Sequence, residues 1–342
     1  MAGELWTRNA RDLAAMIARG ETTSTAVIEA HLDRIATVNP SLNAVVVVLT
    51  DDALKAAAEA DRAVAAGQTL PPLHGVPFTI KDNIDVAGQP TTNGVPALAG
   101  AIATLDHPMV ERLKAAGAIP IGRTNLPDMA LRVHTDSALY GLCRNPWDSR
   151  VTTGGSSGGD ASALAAGMTP LGLGNDIGGS LRNPAFCCGV ASLKPGLGRI
   201  PSASSIDPSG PLVGQMMAVQ GPMTRSVGDL RLALSILAGP HPRDPWSFPA
   251  PLEGPPPARP LKIALVTDPA GGTTDAGIGA SVERAGEELA AAGYTIERVA
   301  PPMVEEAIET WGPLARLGTR PADGDPRPAD VGGSVRLLER LL

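Results

Sequence analysis

Two glycine-flanked serines and one lysine are the residues in this chain best suited to chemistry. Ser156 lies in Gly154-Gly155-Ser156-Ser157-Gly158-Gly159, and Ser180 ends the run Asn175-Asp176-Ile177-Gly178-Gly179-Ser180. Glycine beside a serine lets the backbone approach a substrate closely and take up φ values that other residues avoid. Successive N–H groups between Asp176 and Ser180 could also converge on an anion. A serine hydroxyl is a weak nucleophile and needs a base beside it. Lys81 follows the apolar run Val76–Ile80, and burial there would disfavour its charged form and free a neutral amine. Each feature alone has a plainer reading. Either cluster would fit a structural turn, and Lys81 would fit a surface lysine paired with Asp82 or Asp85. Two such clusters together with a strand-end lysine shift the balance toward chemistry.

Histidine, the usual base for a serine, gives little here. His31 and His107 sit in helical contexts and His241 in a proline-laden connector, and His74 and His134 have no special setting either. Residues 154–158 also fit the G-x-S-x-G turn that carries a nucleophile between strand and helix. That turn needs a strand before it, and Pro146-Trp147-Asp148-Ser149-Arg150 is no strand. Both the histidine triad and the nucleophile elbow are therefore set aside. Cys143, Cys187 and Cys188 have neither disulfide nor zinc spacing, and the adjacent pair reads as reduced, small core filling.

The elements that must position these residues alternate between helix and strand. Leu5, Leu13, Met16 and Ile17, then Val27, Ile28, Leu32 and Ile35, predict two amphipathic helices, broken at Gly20 and ended by Asn39-Pro40. Ala44–Val48 predicts a buried strand, and Asp51-Asp52 would cap an alanine-rich helix that ends near Gly67. Val76–Ile80 predicts a strand with Lys81 and Asp82 at its C-terminal end, where ligand-contacting residues sit in open α/β sheets. A helix over 107–116 and a strand over 118–121 follow. Beyond the irregular stretch 145–153 come a helix over 160–167 and a short strand over 170–173. A further helix over 226–237 has Val227, Leu230, Leu234 and Leu237 on one face. Residues 261–266, 278–292 and 294–299 read as a βαβ unit able to extend the same sheet. The alternation predicts an α/β fold.

Composition narrows the class. The 342 residues suffice for a large core, with 43% hydrophobic and 18% charged residues describing a folded globular chain. A net charge of −7 argues against a nucleic-acid surface, which needs clustered Lys and Arg. There is no apolar run of about 18 residues to span a membrane, and the first 21 residues lack the apolar stretch of a secretory signal. A cytoplasmic protein without nucleic-acid or membrane partners is expected; a homodimer is allowed.

GVPFTIKDNIDVAG, followed by GGSSGGDASALAAGMTPLGLGNDIGGSLRNPAFCCGVASLKP, resembles the amidase signature family, and the 24-residue spacing of Ser156 and Ser180 agrees. The resemblance runs from about Leu5 to about Trp311. It implies an amidase-signature fold, a central mixed β-sheet flanked by helices on both faces. It also implies Ser180 as nucleophile, Ser156 as bridging serine after a cis Gly155–Ser156 peptide, and Lys81 as ultimate base. The oxyanion would be held by the N–H groups of Ile177, Gly178, Gly179 and Ser180, one such donor being typically worth about 3 kcal/mol. Gly155, Ser157, Asp176 and Arg182 would support the site. The implied reaction hydrolyses a small-molecule carboxamide through an acyl-enzyme, with no cofactor and no metal. The alternatives are an inactive family member or binding-only scaffold, and the glutaminase subunit of an amidotransferase.

The expected organisation is an amidase signature domain over 1–316, with N-terminal helices (1–67), a catalytic core (68–239), a proline-rich connector (240–260) and the βαβ unit (261–299). Family members continue well past the point where this chain stops. Residues 317–342 are atypical, so a C-terminally truncated fold with a poorly ordered tail is expected.

Overall fold

The computed structural model describes residues 2–206, 212–255 and 261–317. They fall into two compact units that divide at Ala250. The tail expected over 317–342 lies, beyond its first residue, outside the described residues.

The first unit opens with helices α1 (Ala10–Ala18) and α2 (Ser24–Leu42), strand β1 (Val45–Val48) and helix α3 (Thr50–Ala65). Strand β2 (Pro77–Lys81), helix α4 (Pro108–Ala115) and strand β3 (Ile119–Thr124) come next, then a small hairpin of β4 (Asp136–Ser137) and β5 (Gly141–Leu142). Helix α5 (Gly158–Ala165), strand β6 (Leu171–Asp176), helix α6 (Arg182–Cys188) and strand β7 (Ala191–Ser192) carry the two serine clusters. Helix α7 (Leu212–Met217), strand β8 (Val219–Thr224) and helix α8 (Val227–Leu237) complete the unit. One six-stranded sheet runs in the order β1-β3-β2-β6-β8-β7. Strand β2 pairs parallel with β3 and with β6, whereas β1–β3, β6–β8 and β7–β8 are antiparallel. The sheet is mixed, as expected.

Alternation along the central strands divides the sheet's two faces. Phe78, Ile80, Leu171 and Leu173 enter a core with Leu13 and Ile17 of α1, Met109 and Leu113 of α4, and Ala233 and Leu237 of α8. The intervening Thr79, Lys81, Gly172 and Gly174 belong to the other face, where α5 and α6 pack through Ala161, Leu164, Leu181 and Ala185. A third cluster joins α2, α3 and β3 through Ile28, Ile35, Ala53, Ala57, Ile119 and Ile121. Helices thus cover both faces.

Several local expectations need correction. Helix α2 does not stop at Asn39-Pro40 but runs to Leu42, where Asn43 turns left-handed at φ 53°. The Asn39 side chain accepts from the N–H groups of Ala44 and Val45 and donates to the Val45 carbonyl, fixing the exit in place of a proline stop. Strand β1 is an edge strand, not a fully buried one, and Val48 is 41% exposed. Asp51 and Asp52 lie in the first turn of α3, where they favour the helix dipole, and the N-cap is Leu49 with no side-chain cap bond. In α8 the helical face starts at Leu230, since Val227 is 74% exposed and the N-cap Ser226 holds the first turn.

In the second unit, strand β9 (Lys262–Leu265), helix α9 (Ala276–Ala291) and strand β10 (Thr295–Arg298) form the βαβ unit, followed by helix α10 (Val304–Leu317). Here β9 and β10 pair parallel in a two-stranded sheet of their own, so this unit does not extend the main sheet as expected.

Candidate active site

The C-terminal ends of the parallel strands β2 and β6 bring the predicted residues together. Lys81 is the last residue of β2, and its side chain is fully buried. Its Nζ lies 2.7 Å from Ser156 Oγ and 2.7 Å from Asn175 Oδ1, with Asn175 one residue before the end of β6. The surface pairing with Asp82 or Asp85 is not what forms. Asp82 faces Arg123 across a buried 3.2 Å ion pair, and Asp85 accepts from Thr91, Ser204 and Ser205. Burial pushes the Lys81 ammonium down to about 7, against the pull of Asp160 and Asp176. An amine so placed is neutral in part at neutral pH and can take a proton from Ser156.

The first glycine–serine cluster is shaped by crowding. The Gly155–Ser156 peptide is cis, as the resemblance implied. A Cβ on Gly155 would lie 2.6 Å from the Arg132 carbonyl oxygen, and one on Gly154, whose φ is +73°, 2.5 Å from Asn183 Oδ1. Glycine is thus required by the walls on both sides. The same Asn183 Oδ1 accepts from the Gly155 N–H at 3.0 Å, which ties the cluster to helix α6.

The second cluster is organised by Asp176. Its carboxylate accepts from the N–H groups of Gly179 (2.8 Å) and Leu181 (3.0 Å) and from the Arg182 guanidinium (2.9 Å and 3.0 Å). Burial works against the charge of Asp176, but Arg182 and these N–H groups outweigh it and hold the carboxyl below its usual range. The Gly179 N–H is therefore occupied. Of the four expected oxyanion donors, Ile177, Gly178 and Ser180 have no backbone N–H partner among the described residues. Gly179, at φ +120°, supplies the bend of the backbone between them. Ser180 is nearly buried, and its carbonyl accepts from the Ser157 N–H at 3.1 Å. That bond joins the two clusters directly.

The sequence-predicted site residues thus gather in one region, and of the histidines only His134 borders it: its backbone N lies against Gly155, and its ring bonds Thr152 Oγ1, not either serine of the clusters. His31 is buried and bonded to the Val27 carbonyl, and burial lowers its pKa to about 4. His107 caps α4 by accepting from the Met109 N–H. The cysteines are free; Cys143 and Cys188 are buried, and Cys187 only partly.

Sequence reasoning missed Asn175, Asn83 and Asp160. Asn83 and Asn175 bond each other at 2.9 Å, so the second partner of Lys81 is itself held. Asp160, fully buried at the start of α5, accepts from Thr79 Oγ1 at 3.1 Å and from Thr124 Oγ1 at 2.6 Å. A signal for Asn175 existed. The strand expected over 170–173 in fact runs to Asp176, which puts Asn175 at a strand end beside Lys81.

Comparison with known proteins agrees with the geometry. The family model described as Amidase matches residues 26–316. The chain is 49% identical over 310 residues to an indoleacetamide hydrolase of Bradyrhizobium diazoefficiens, covering 90% of this chain and 59% of that protein. It is 37% identical over 320 residues to a component of the glutamyl-tRNA(Gln) amidotransferase of Acidothermus cellulolyticus, covering 90% of this chain and 61% of that protein. Among solved structures, fatty acid amide hydrolase superposes with a TM-score of 0.83 at 29% identity, over 92% of this chain and 56% of that one. The chain spans about three-fifths of the length of these curated relatives. With its mixed sheet, its two glycine–serine clusters and a family match over most of its length, this chain belongs to the amidase family, the amidase signature enzymes.

Proposed function

We propose that this chain carries the catalytic centre of an amidohydrolase that cleaves a small carboxamide to a carboxylate and ammonia or an amine. The observation that carries this reading is the 2.7 Å bond between the buried Lys81 amine and Ser156 Oγ. Neutral Lys81 takes the Ser156 proton, and Ser156 takes that of Ser180 as Ser180 Oγ attacks the amide carbon. The carbonyl oxygen becomes an oxyanion facing the N–H groups of Ile177, Gly178 and Ser180. Collapse of that intermediate breaks the C–N bond, and the relay returns a proton to the departing nitrogen. Water then attacks the Ser180 ester by the same relay, releasing the acid. The Ser157 N–H, the Asn183 side chain and the Asp176–Arg182 pair keep the two serines in register.

For substrate, the higher identity to an indoleacetamide hydrolase favours a primary amide of an aryl-acetic acid over glutamine. The test is ammonia release from indole-3-acetamide, phenylacetamide and glutamine. Release from the aryl amides, abolished in Ser180→Ala, supports the proposal. Release from glutamine alone favours the reading as a glutaminase component of an amidotransferase. No release from any amide by folded protein leaves the binding-only reading.

A further inference from the structure

Asp160 has no part in the relay just described, yet it is a fully buried carboxyl on the sheet face that carries Lys81. Three strands make its seat. Thr79 lies two residues before Lys81 on β2, and Thr124 is the register partner of Lys81 on β3; both hydroxyls donate to Asp160. On β6, Gly172 pairs with Thr79, and a Cβ there would lie 2.7 Å from Asp160 Oδ1. A side chain at 172 would displace the carboxyl, and glycine leaves the seat open. Thr79 and Thr124 hold the carboxyl at both oxygens, and Lys81 lies on the same face of the same strands.

We propose that Asp160 is a positioning residue for the proposed relay: its carboxylate stabilises the ammonium that forms when Lys81 receives the proton of Ser156, and so sets the basicity of Lys81. The proton balance is simple. As Ser180 attacks, one proton moves from Ser180 to Ser156 and one from Ser156 to Lys81 Nζ, leaving a positive charge on a fully buried amine. A buried ammonium without a counter-charge is costly, and Asp160 supplies the counter-charge from the same face of the sheet.

The other charged groups do not replace it. Asp176 on β6 also acts on Lys81 but is already engaged by Arg182 of α6. Arg123 on β3 acts on Asp160 and is itself paired with Asp82. Cys143 is nearby, and burial keeps its thiol protonated. Burial raises the Asp160 carboxyl to about 7, although the hydroxyls of Thr124 and Thr79 and the charges of Lys81 and Arg123 favour its ionised form.

This inference rests on the reading of Lys81 as base, and the experiment separates the two. The second-order rate of labelling by a fluorophosphonate is measured from pH 5 to pH 10 for wild type, Asp160→Asn, Thr124→Val and Lys81→Ala. Without the carboxylate, Lys81 loses its proton more readily and is a weaker base. The acid limb of Asp160→Asn should move to lower pH by roughly one unit, the lower end of what a nearby opposite charge gives, and its plateau should fall several-fold. Thr124→Val removes a donor that favours the ionised carboxyl, so its limb should move the same way by less. This arm decides the matter if Asp160→Asn does not fold. A limb that stays at the wild-type pH in the folded variants overturns the role of Asp160 while leaving Lys81 as base. Wild-type labelling by Lys81→Ala overturns both.

Discussion

The backbone N–H of Ser157 donates to the carbonyl oxygen of Ser180 at 3.1 Å, so the two glycine–serine clusters, 23 residues apart at these positions, share one hydrogen bond. Helix α5 begins at the first cluster and strand β6 ends at the second, and the bond closes the loop between them. Lys81 enters from the neighbouring strand β2 and completes the group. Lys81 and Asn175 thus stand on strand ends, whereas Ser156 and Ser180 lie in the short turns between these elements, held by the hydrogen bond that joins their two clusters.

The lowered pKa of Lys81 fixes the sign of a pH dependence. A base works when deprotonated, and burial sets the Lys81 midpoint at about 7. The rate of Ser180 acylation should climb from pH 5 and level off above about pH 8. A stopped assay with any cleaved amide across that range would show it. A rate that falls with rising pH over the same interval would mean that the protonated lysine is the working form.

The crowding around the first cluster predicts an uneven response to added methyl groups. A Cβ on Gly159 would meet the Asn125 carbonyl oxygen at 2.5 Å and that of Ala44 at 2.8 Å, whereas one on Gly100 meets nothing within 4 Å. Gly159→Ala should cost about 1–3 kcal/mol, the usual range for overpacking. Gly100→Ala should stay within about 0.5 kcal/mol, as surface changes do. Urea unfolding of both variants checks the contrast, and equal losses would contradict it.

Asp176 should matter to the loop more than to the core. Its carboxylate accepts from the backbone N–H groups of Gly179, Leu181 and, at 3.5 Å, Arg182, and from the Arg182 side chain, which is half exposed. Asp176→Ala leaves those donors without their acceptor. It should slow labelling of Ser180 by more than tenfold and cost about 1–3 kcal/mol, the scale of unsatisfied buried groups. Arg182→Gln, which removes only the exposed partner, should do less on both counts. Labelling kinetics and thermal unfolding measured together would show whether the order holds.

The buried ion pair beneath the site gives a stability test with a built-in control. Asp82 and Arg123 are both 1% exposed, and Asp82 also accepts from Thr92 and, at 3.0 Å, from Tyr140. Burial raises the Asp82 carboxyl, and Arg123 is the main force opposing that shift. Arg123→Met strands the carboxylate and should cost about 3–5 kcal/mol, the usual result of breaking a buried pair from one side. Changing both, as Asp82→Asn with Arg123→Met, should recover part of that loss. A double variant worse than the sum of the singles would contradict the account.

Which parts of the fold and site are legible in the sequence follows from where the constraints lie. Lys81, Ser156 and Ser180 stand out because glycines mark close approach and because an apolar run leads straight into the lysine. Asp160 does not stand out. A lone acid at the head of an alanine-rich helix looks like a dipole partner, and only the pairing of β2, β3 and β6 shows that it faces inward. Strand β8 escapes notice because Val219–Thr224 carries a glycine and a proline in mid-strand. Gly221 is needed there, since a Cβ would run into the Leu193 carbonyl. Helix α6 escapes because it is seven residues long and begins with Arg-Asn-Pro. The βαβ order of the second unit is plain in the sequence, but local pattern cannot say which sheet a strand joins.

The central claim is that Ser180 is the nucleophile and that Lys81 activates it through Ser156. It is tested most directly by treating the folded protein with a fluorophosphonate at pH 8 and mapping the adduct by peptide mass spectrometry. The account predicts a single adduct on Ser180, absent in Ser180→Ala and formed at least roughly a hundredfold more slowly in Lys81→Ala and Ser156→Ala, the scale of a lost general base. An adduct on another residue, or undiminished labelling of Ser180 without Lys81, would contradict it.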